Sequence, residues 1–168
     1  MKTLIIFGGS GFTGTNFVKS ALLNEKIDKI HIIDLDPPKI KHKKIIFHQF
    51  DIINPINIKI NVSNGICYHL AALAKEPGYP WENYYESNYT GTINVINFCK
   101  NNGIHKIIYT STMMVYKAGE KKMTEESLTA PDTGYGISKL LGELALRSWS
   151  SEDKHNYLRI ARIAVVYG

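Results

Sequence analysis

A glycine-rich turn set between an apolar run and an amphipathic stretch constrains this chain most. Gly8-Gly9-Ser10-Gly11-Phe12-Thr13-Gly14 follows Thr3-Leu4-Ile5-Ile6-Phe7. Residues 12–24 then place Phe12, Phe17, Val18, Ala21 and Leu22 near one stripe, which predicts a helix. Gly8-x-x-Gly11-x-x-Gly14 in a strand–loop–helix context is a dinucleotide fingerprint. Gly8 permits the tight turn, Gly11 lets backbone approach a pyrophosphate, and Gly14 lets the helix pack on the sheet. The helix N-terminus offers free amides and positive dipole to the phosphates.

The rest of the chain continues the alternation. Ile30, Ile32 and Ile33 predict a short buried strand ending at Asp34, and Ile45-Ile46-Phe47 predicts another, closed by Asp51. Residues 65–70 predict a fourth strand, 84–101 a long helix stopped by Asn102-Gly103, and 104–110 a fifth strand. A helix over 134–150 and a sixth strand over 157–166 complete the pattern. Near-continuous apolar strands separated by helices predict an α/β fold: a doubly wound parallel sheet, of the Rossmann type, covered on both faces. With 168 residues, one dinucleotide-binding domain over 1–168 is expected.

Composition excludes more than it assigns. No apolar run is long enough to span a membrane. The N-terminal apolar run is too short for a signal peptide and meets glycines, so it reads as a first strand. Cys67 and Cys99 stand far apart with no Cys-x-x-Cys pair, as expected of two reduced structural thiols in a cytoplasmic protein. The net charge of +5 peaks at Lys41-His42-Lys43-Lys44, read as a solvated loop rather than a nucleic-acid patch. The six histidines have no metal-ligand spacing. Neither nucleic acid, membrane nor metal is expected as a partner.

Two further features point to chemistry. Asp34 stands 20 residues after Gly14, where an acidic group accepts hydrogen bonds from the adenosine ribose and repels a 2′-phosphate. NAD is therefore expected over NADP. Tyr135 and Lys139 stand four apart, on one face of the predicted helix. A tyrosine phenol titrates near ~10, and a neighbouring ammonium is expected to lower it toward useful acid–base chemistry.

Together these motifs resemble the extended branch of the short-chain dehydrogenase/reductase superfamily, which contains nucleotide-sugar epimerases and dehydratases. The resemblance runs through Gly8 to Gly14, Asp51-Ile52, His69-Leu70-Ala71-Ala72 and Asn88 before Gly91-Thr92. It continues through Thr110 to Tyr116, the Tyr135/Lys139 pair, and Arg162 to Gly168. It implies that NAD is held by Gly8, Gly11, Phe12, Thr13, Gly14, Asp34, Asp51, Ile52, Leu70, Ala71, Ala72, Asn88 and Thr110, together with Tyr135 and Lys139.

The resemblance also implies roles. Tyr135 is the acid/base, Lys139 lowers its pKa and holds the nicotinamide ribose, and Thr112 orients the substrate hydroxyl, with Ser111 as the fallback. Asn88 is implied to support the active-site helix. The reaction implied is epimerisation or oxidoreduction of a sugar nucleotide through a transient ketone. The alternatives are an NAD(P)-dependent reductase of a non-nucleotide carbonyl and a non-catalytic dinucleotide-binding module. Met113 and Met114 stand where sugar-nucleotide dehydratases have an acidic pair, which disfavours dehydration. The C-terminal substrate domain usual in the family is expected to be absent from this chain. A homodimer through the helices at 84–101 and 134–150 is expected.

Overall fold

The computed structural model describes residues 2–62, 64–119 and 122–166. Six strands form one parallel sheet in the order β3-β2-β1-β4-β5-β6. They are β1 Lys2–Phe7, β2 Ile27–Asp34, β3 Ile45–Gln49, β4 Gly65–His69, β5 Lys106–Thr112 and β6 Tyr157–Ile163. The order reverses between β1 and β4. That switch point leaves a crevice at the carboxyl ends of the strands.

Helices cover both faces. On one face, Val18 and Ala21 of α1 (Phe12–Leu22) pack on Leu4, Ile6, Ile30 and Ile32. On the other, Val95, Phe98, Leu146 and Trp149 pack on Ile5, Phe7, Ile33, Cys67 and Ile107. Those residues come from α3 (Gly91–Asn101) and α4 (Gly134–Glu152). Each such buried side chain contributes about 1.5–3 kcal/mol, so the alternating faces of β1 alone fix both layers. Cys67 and Cys99 are both buried and free, as expected of core thiols.

Several boundaries differ from the sequence reading, and the sixth strand, expected over 157–166, already ends at Ile163. The helix expected over 84–101 begins earlier, as α2 (Trp81–Tyr84), and passes through a π-helical stretch, Tyr85–Thr90, before α3. Widened turns of this kind occur often at functional sites. The fifth strand runs two residues beyond the expected end at Thr110. Thr110, Ser111 and Thr112 pair with Ala161, Arg162 and Ile163, so this polar segment belongs to the sheet. The third strand stops at Gln49, two residues before Asp51. Among the described residues, no helix is long and apolar enough to cross a membrane, and no three potential metal ligands cluster.

A candidate dinucleotide and acid–base site

The crevice at the switch point is built by the glycine loop. Gly8 has φ of +81°, a conformation other side chains rarely adopt, and a Cβ there would lie 2.5 Å from the Ala71 amide nitrogen. A Cβ on Gly14 would lie 2.1 Å from the Gly8 carbonyl oxygen. At Gly11 the only neighbour such an atom would meet is that oxygen, at 3.6 Å, so the space above Gly11 is open. Gly11 also caps α1 without a side chain, leaving the first-turn amides facing the crevice. Phe12 and Thr13 are exposed at this lip.

Asp34 braces the loop. Its Oδ2 accepts the Ser10 amide at 2.8 Å, and its Oδ1 accepts the Leu35 amide at 2.8 Å. A cavity of about 220 Å³ joins Gly8, Gly11, Asp34, Asp51, Ile52, Leu70, Ala71 and Ala72. Gly8, Gly11 and Asp34, named from spacing, thus line the same groove as Asp51, Ile52, Leu70, Ala71 and Ala72, named from the resemblance. Leu35, Phe50 and Ser87 also line it and were not foreseen. Asp51 Oδ1 accepts the Ile53 amide at 3.1 Å, which turns the chain so that Ile52 is buried against Gly91. An open glycine lip over helix amides, an acidic end and small-residue walls fit a dinucleotide.

Two expected groove residues sit elsewhere. Asn88 is 1 % exposed, in the π-helical stretch. Its amide donates to the Leu73 carbonyl and to Ser138 Oγ, both at 3.0 Å, and its oxygen accepts the Leu73 amide at 2.8 Å. It ties the segment after β4 to α4 from behind the groove. Thr110 donates to the His69 carbonyl at 3.2 Å, bridging β4 and β5.

The acid–base residues come from β5 and α4. Thr133 caps α4 by accepting the Gly136 amide at 3.0 Å, and Glu76 accepts the Tyr135 amide at 3.0 Å. The first turn of α4 is thereby pinned from two sides. Thr112 Oγ1 accepts the Met114 amide at 3.2 Å and its hydroxyl draws down the nearby Tyr135 phenol, while Ser111 is buried with no partner for its hydroxyl. Of the two candidate hydroxyls, Thr112 is the one that influences the Tyr135 phenol.

Lys139 is 1 % exposed, with Nζ 4.1 Å from the centroid of the Tyr109 ring. Burial pushes its ammonium down to about 7, opposed by the charge of Glu143. The expectation that Lys139 lowers the Tyr135 pKa is not met. Burial raises the Tyr135 phenol, and the opposing influence is the Thr112 hydrogen bond. The lysine spends its charge beneath the helix, over Tyr109.

Behind this set lies a polar layer. His69 Nε2 bonds Thr92 Oγ1 at 2.9 Å, and Thr92 in turn donates to the Asn88 carbonyl at 2.6 Å. Thr92 must therefore accept from His69, which leaves the imidazole Nδ1 without a hydrogen and without a partner. Burial, and then the Lys139 charge, hold His69 neutral. Arg162 makes a two-pronged bond to buried Glu143, at 2.9 and 2.7 Å. The last two residues of the expected strand-end motif, Tyr167 and Gly168, lie outside the described residues.

The sequence profile of the NAD-dependent epimerase/dehydratase family matches residues 4–168. The chain belongs to that family. It is 28 % identical over 175 residues to UDP-glucose 4-epimerase of Vibrio cholerae, covering 99 % of this chain and 52 % of that protein. It is 27 % identical over 171 residues to N-acetyl-alpha-D-glucosaminyl-diphospho-ditrans,octacis-undecaprenol 4-epimerase of Escherichia coli O157:H7, covering 98 % and 49 %. The crystal structure of UDP-glucuronic acid 4-epimerase from Bacillus cereus in complex with NAD superposes with a TM-score of 0.81. That match has 27 % identity and covers all of this chain and 57 % of the other. The chain thus spans about half the length of the curated relatives it matches. NAD is the cofactor of this family of enzymes, and Asp34 lines one part of the groove.

Proposed function

We propose that this chain forms the cofactor-binding and acid–base half of an enzyme that epimerises or oxidises a sugar nucleotide through a transient ketone. The observation that carries this reading is that the first turn of α4, with Tyr135 and Lys139 one helical turn apart, packs against the chain just after Thr112 at the end of β5, so closely that a Cβ on Gly136 would lie 2.4 Å from the Met114 carbonyl oxygen. Relatives named for UDP-glucose and UDP-glucuronic acid support the substrate class.

Gly11, Asp34, Asp51 and Ile52 would hold the dinucleotide along the groove, and Lys139 would turn from Tyr109 toward its nearer ribose. NAD, when bound, supplies reversible hydride transfer at the sugar carbon. Thr112 Oγ1 holds the sugar hydroxyl, and Tyr135, reacting as the phenolate, takes its proton as the ketone forms and becomes the phenol. The same phenol returns the proton to the ketone oxygen, on whichever face the sugar then presents. Burial of Tyr135 favours the protonated form, which is the form that performs this second step. Met113 and Met114 supply no acid or base for water elimination.

The same reading includes a homodimer through the helices at 84–101 and 134–150. Leu144 is 54 % exposed and Ile137 37 % exposed on α4, and a second copy of that helix pair would cover them.

Incubation with NAD and a panel of UDP-hexoses, followed by NMR of the products, tests the function. Conversion at the sugar C4 is expected, and Tyr135→Phe is expected to lose it. Turnover confined to non-nucleotide carbonyls would replace this reading with a reductase.

A further inference from the structure

Lys139 lies in a mostly neutral setting. From β4 it faces His69, which is uncharged, and from β5 the ring of Tyr109. On its own helix stand Tyr135 one turn before it and Glu143 one turn after. Glu143 is 1 % exposed, and its carboxylate is engaged by Arg162 from β6. Lys139 takes no part in the ion pairs found among the described residues. Glu143 therefore acts on it through space, as the one buried carboxylate among the described residues.

We propose that Glu143 and Arg162 form a positioning pair that sets the charge on Lys139: the carboxylate holds the ammonium form, and the guanidinium limits how strongly it does so. The geometry explains both roles. Spacing of four on α4 puts Glu143 and Lys139 on one face, within reach of a strong electrostatic interaction in a desolvated interior. Arg162 takes both carboxylate oxygens, and it is fixed in turn by Tyr116, with its Cζ 4.7 Å from that ring centroid. Two rigid elements, α4 and β6, thus hold a charge of each sign at a set depth below Lys139. The direction of the shifts agrees, since the Glu143 charge opposes the downward push of burial on Lys139.

The catalytic importance of this pair rests on the function proposed above, but its effect on Lys139 does not. The test reads the lysine directly. The protein is labelled with ¹³C and ¹⁵N at lysine, and the Lys139 side-chain signal is assigned by its loss in Lys139→Met. Its titration midpoint is then followed by NMR without cofactor or substrate. Glu143→Gln is expected to lower the midpoint by about one pH unit or more. Arg162→Gln is expected to raise it.

A purely structural pair would not shift the midpoint in opposite directions. Glu143→Met with Arg162→Met replaces a buried ion pair by apolar groups, a change commonly tolerated by folded proteins. That double variant is expected to lower the midpoint as well, and it supplies the reading if Glu143→Gln does not fold. A midpoint unchanged in Glu143→Gln, or in the double variant where the single one is unfolded, overturns the proposal. A midpoint that stays or falls in Arg162→Gln overturns the role given to Arg162. Absence of sugar-nucleotide turnover touches neither outcome.

Discussion

Asp34 accepts the backbone amide of Ser10 at 2.8 Å, across 24 residues of chain. The carboxylate that ends β2 therefore also shapes the loop that ends β1. A carboxylate has about four acceptor sites, so these contacts leave room for ribose hydroxyls. Asp34→Ala is expected to weaken NAD about tenfold or more, from a loss of about 1.5–3 kcal/mol. NADP is expected to weaken less, because a repulsive charge is removed with the brace. Calorimetric titration of both dinucleotides decides this, and equal losses would reduce Asp34 to a loop brace.

Glycines 11 and 14 are expected to fail differently. An alanine at Gly14 drives its Cβ into the Gly8 carbonyl, so Gly14→Ala is expected to cost about 1–3 kcal/mol of stability or more. At Gly11 the added methyl meets open space. Gly11→Ala is expected to melt within a few degrees of wild type yet bind NAD poorly. Thermal melts with and without NAD separate the two.

Acid is expected to destabilise the fold before its carboxylates titrate. His31 Nδ1 and His48 Nε2 lie 2.9 Å apart on β2 and β3. Burial, then the charges of His48 and Lys29, push His31 down to about 4. His69 is also held well below its ordinary value, by burial first and then by the Lys139 charge. The unfolded chain binds these protons at the ordinary value of 6.5, so it holds more protons than the folded one below that pH. Stability is therefore full above pH 6.5 and falls as pH drops toward 4. Denaturant melts across that range check the slope, and His31→Phe is expected to flatten it.

Lys139 has the same sign in a different window. Its folded value near 7 lies below the ordinary 10.5, so the unfolded chain holds the extra proton between them. Wild-type stability is expected to gain a few kcal/mol from this group as pH rises from 7 to 10.5. Lys139→Met is expected to remove that gain and to be the more stable protein at pH 7. Urea titrations at two pH values measure both effects.

Self-association is expected to depend on α4. Leu144→Lys places a charge on an exposed apolar position and is expected to convert a dimer to a monomer. Light scattering after size exclusion gives the mass directly. A wild-type monomer at all concentrations would remove the dimer from the account.

The sequence made the cofactor half of this site legible because its causes are local. Gly8, Gly11 and Asp34 line the crevice, and Gly14 packs against the Gly8 and Gly9 backbone beside it. The preference for Thr112 over Ser111 came from the resemblance, and the structure adds that Thr112 influences the Tyr135 phenol while the Ser111 hydroxyl is buried without a partner. What escaped the sequence depends on burial and pairing. Pairing with β6 turned Thr110 to Thr112 into strand, and the π-helical stretch turned Asn88 inward. The direction of the Tyr135 shift was misjudged because helical spacing reports a shared face but not desolvation. Glu143 was visible four residues after Lys139, yet only its burial with Arg162 distinguishes it from a solvated glutamate.

The central claim is that Tyr135 transfers the proton that accompanies hydride transfer from a sugar nucleotide. Single-turnover mixing with NAD and UDP-glucose, followed by the near-ultraviolet absorbance of reduced nicotinamide, tests it most directly. A transient rise is expected in the wild type. Tyr135→Phe is expected to slow it about a hundredfold or more while binding NAD as tightly. A rise of equal rate in Tyr135→Phe would contradict the claim.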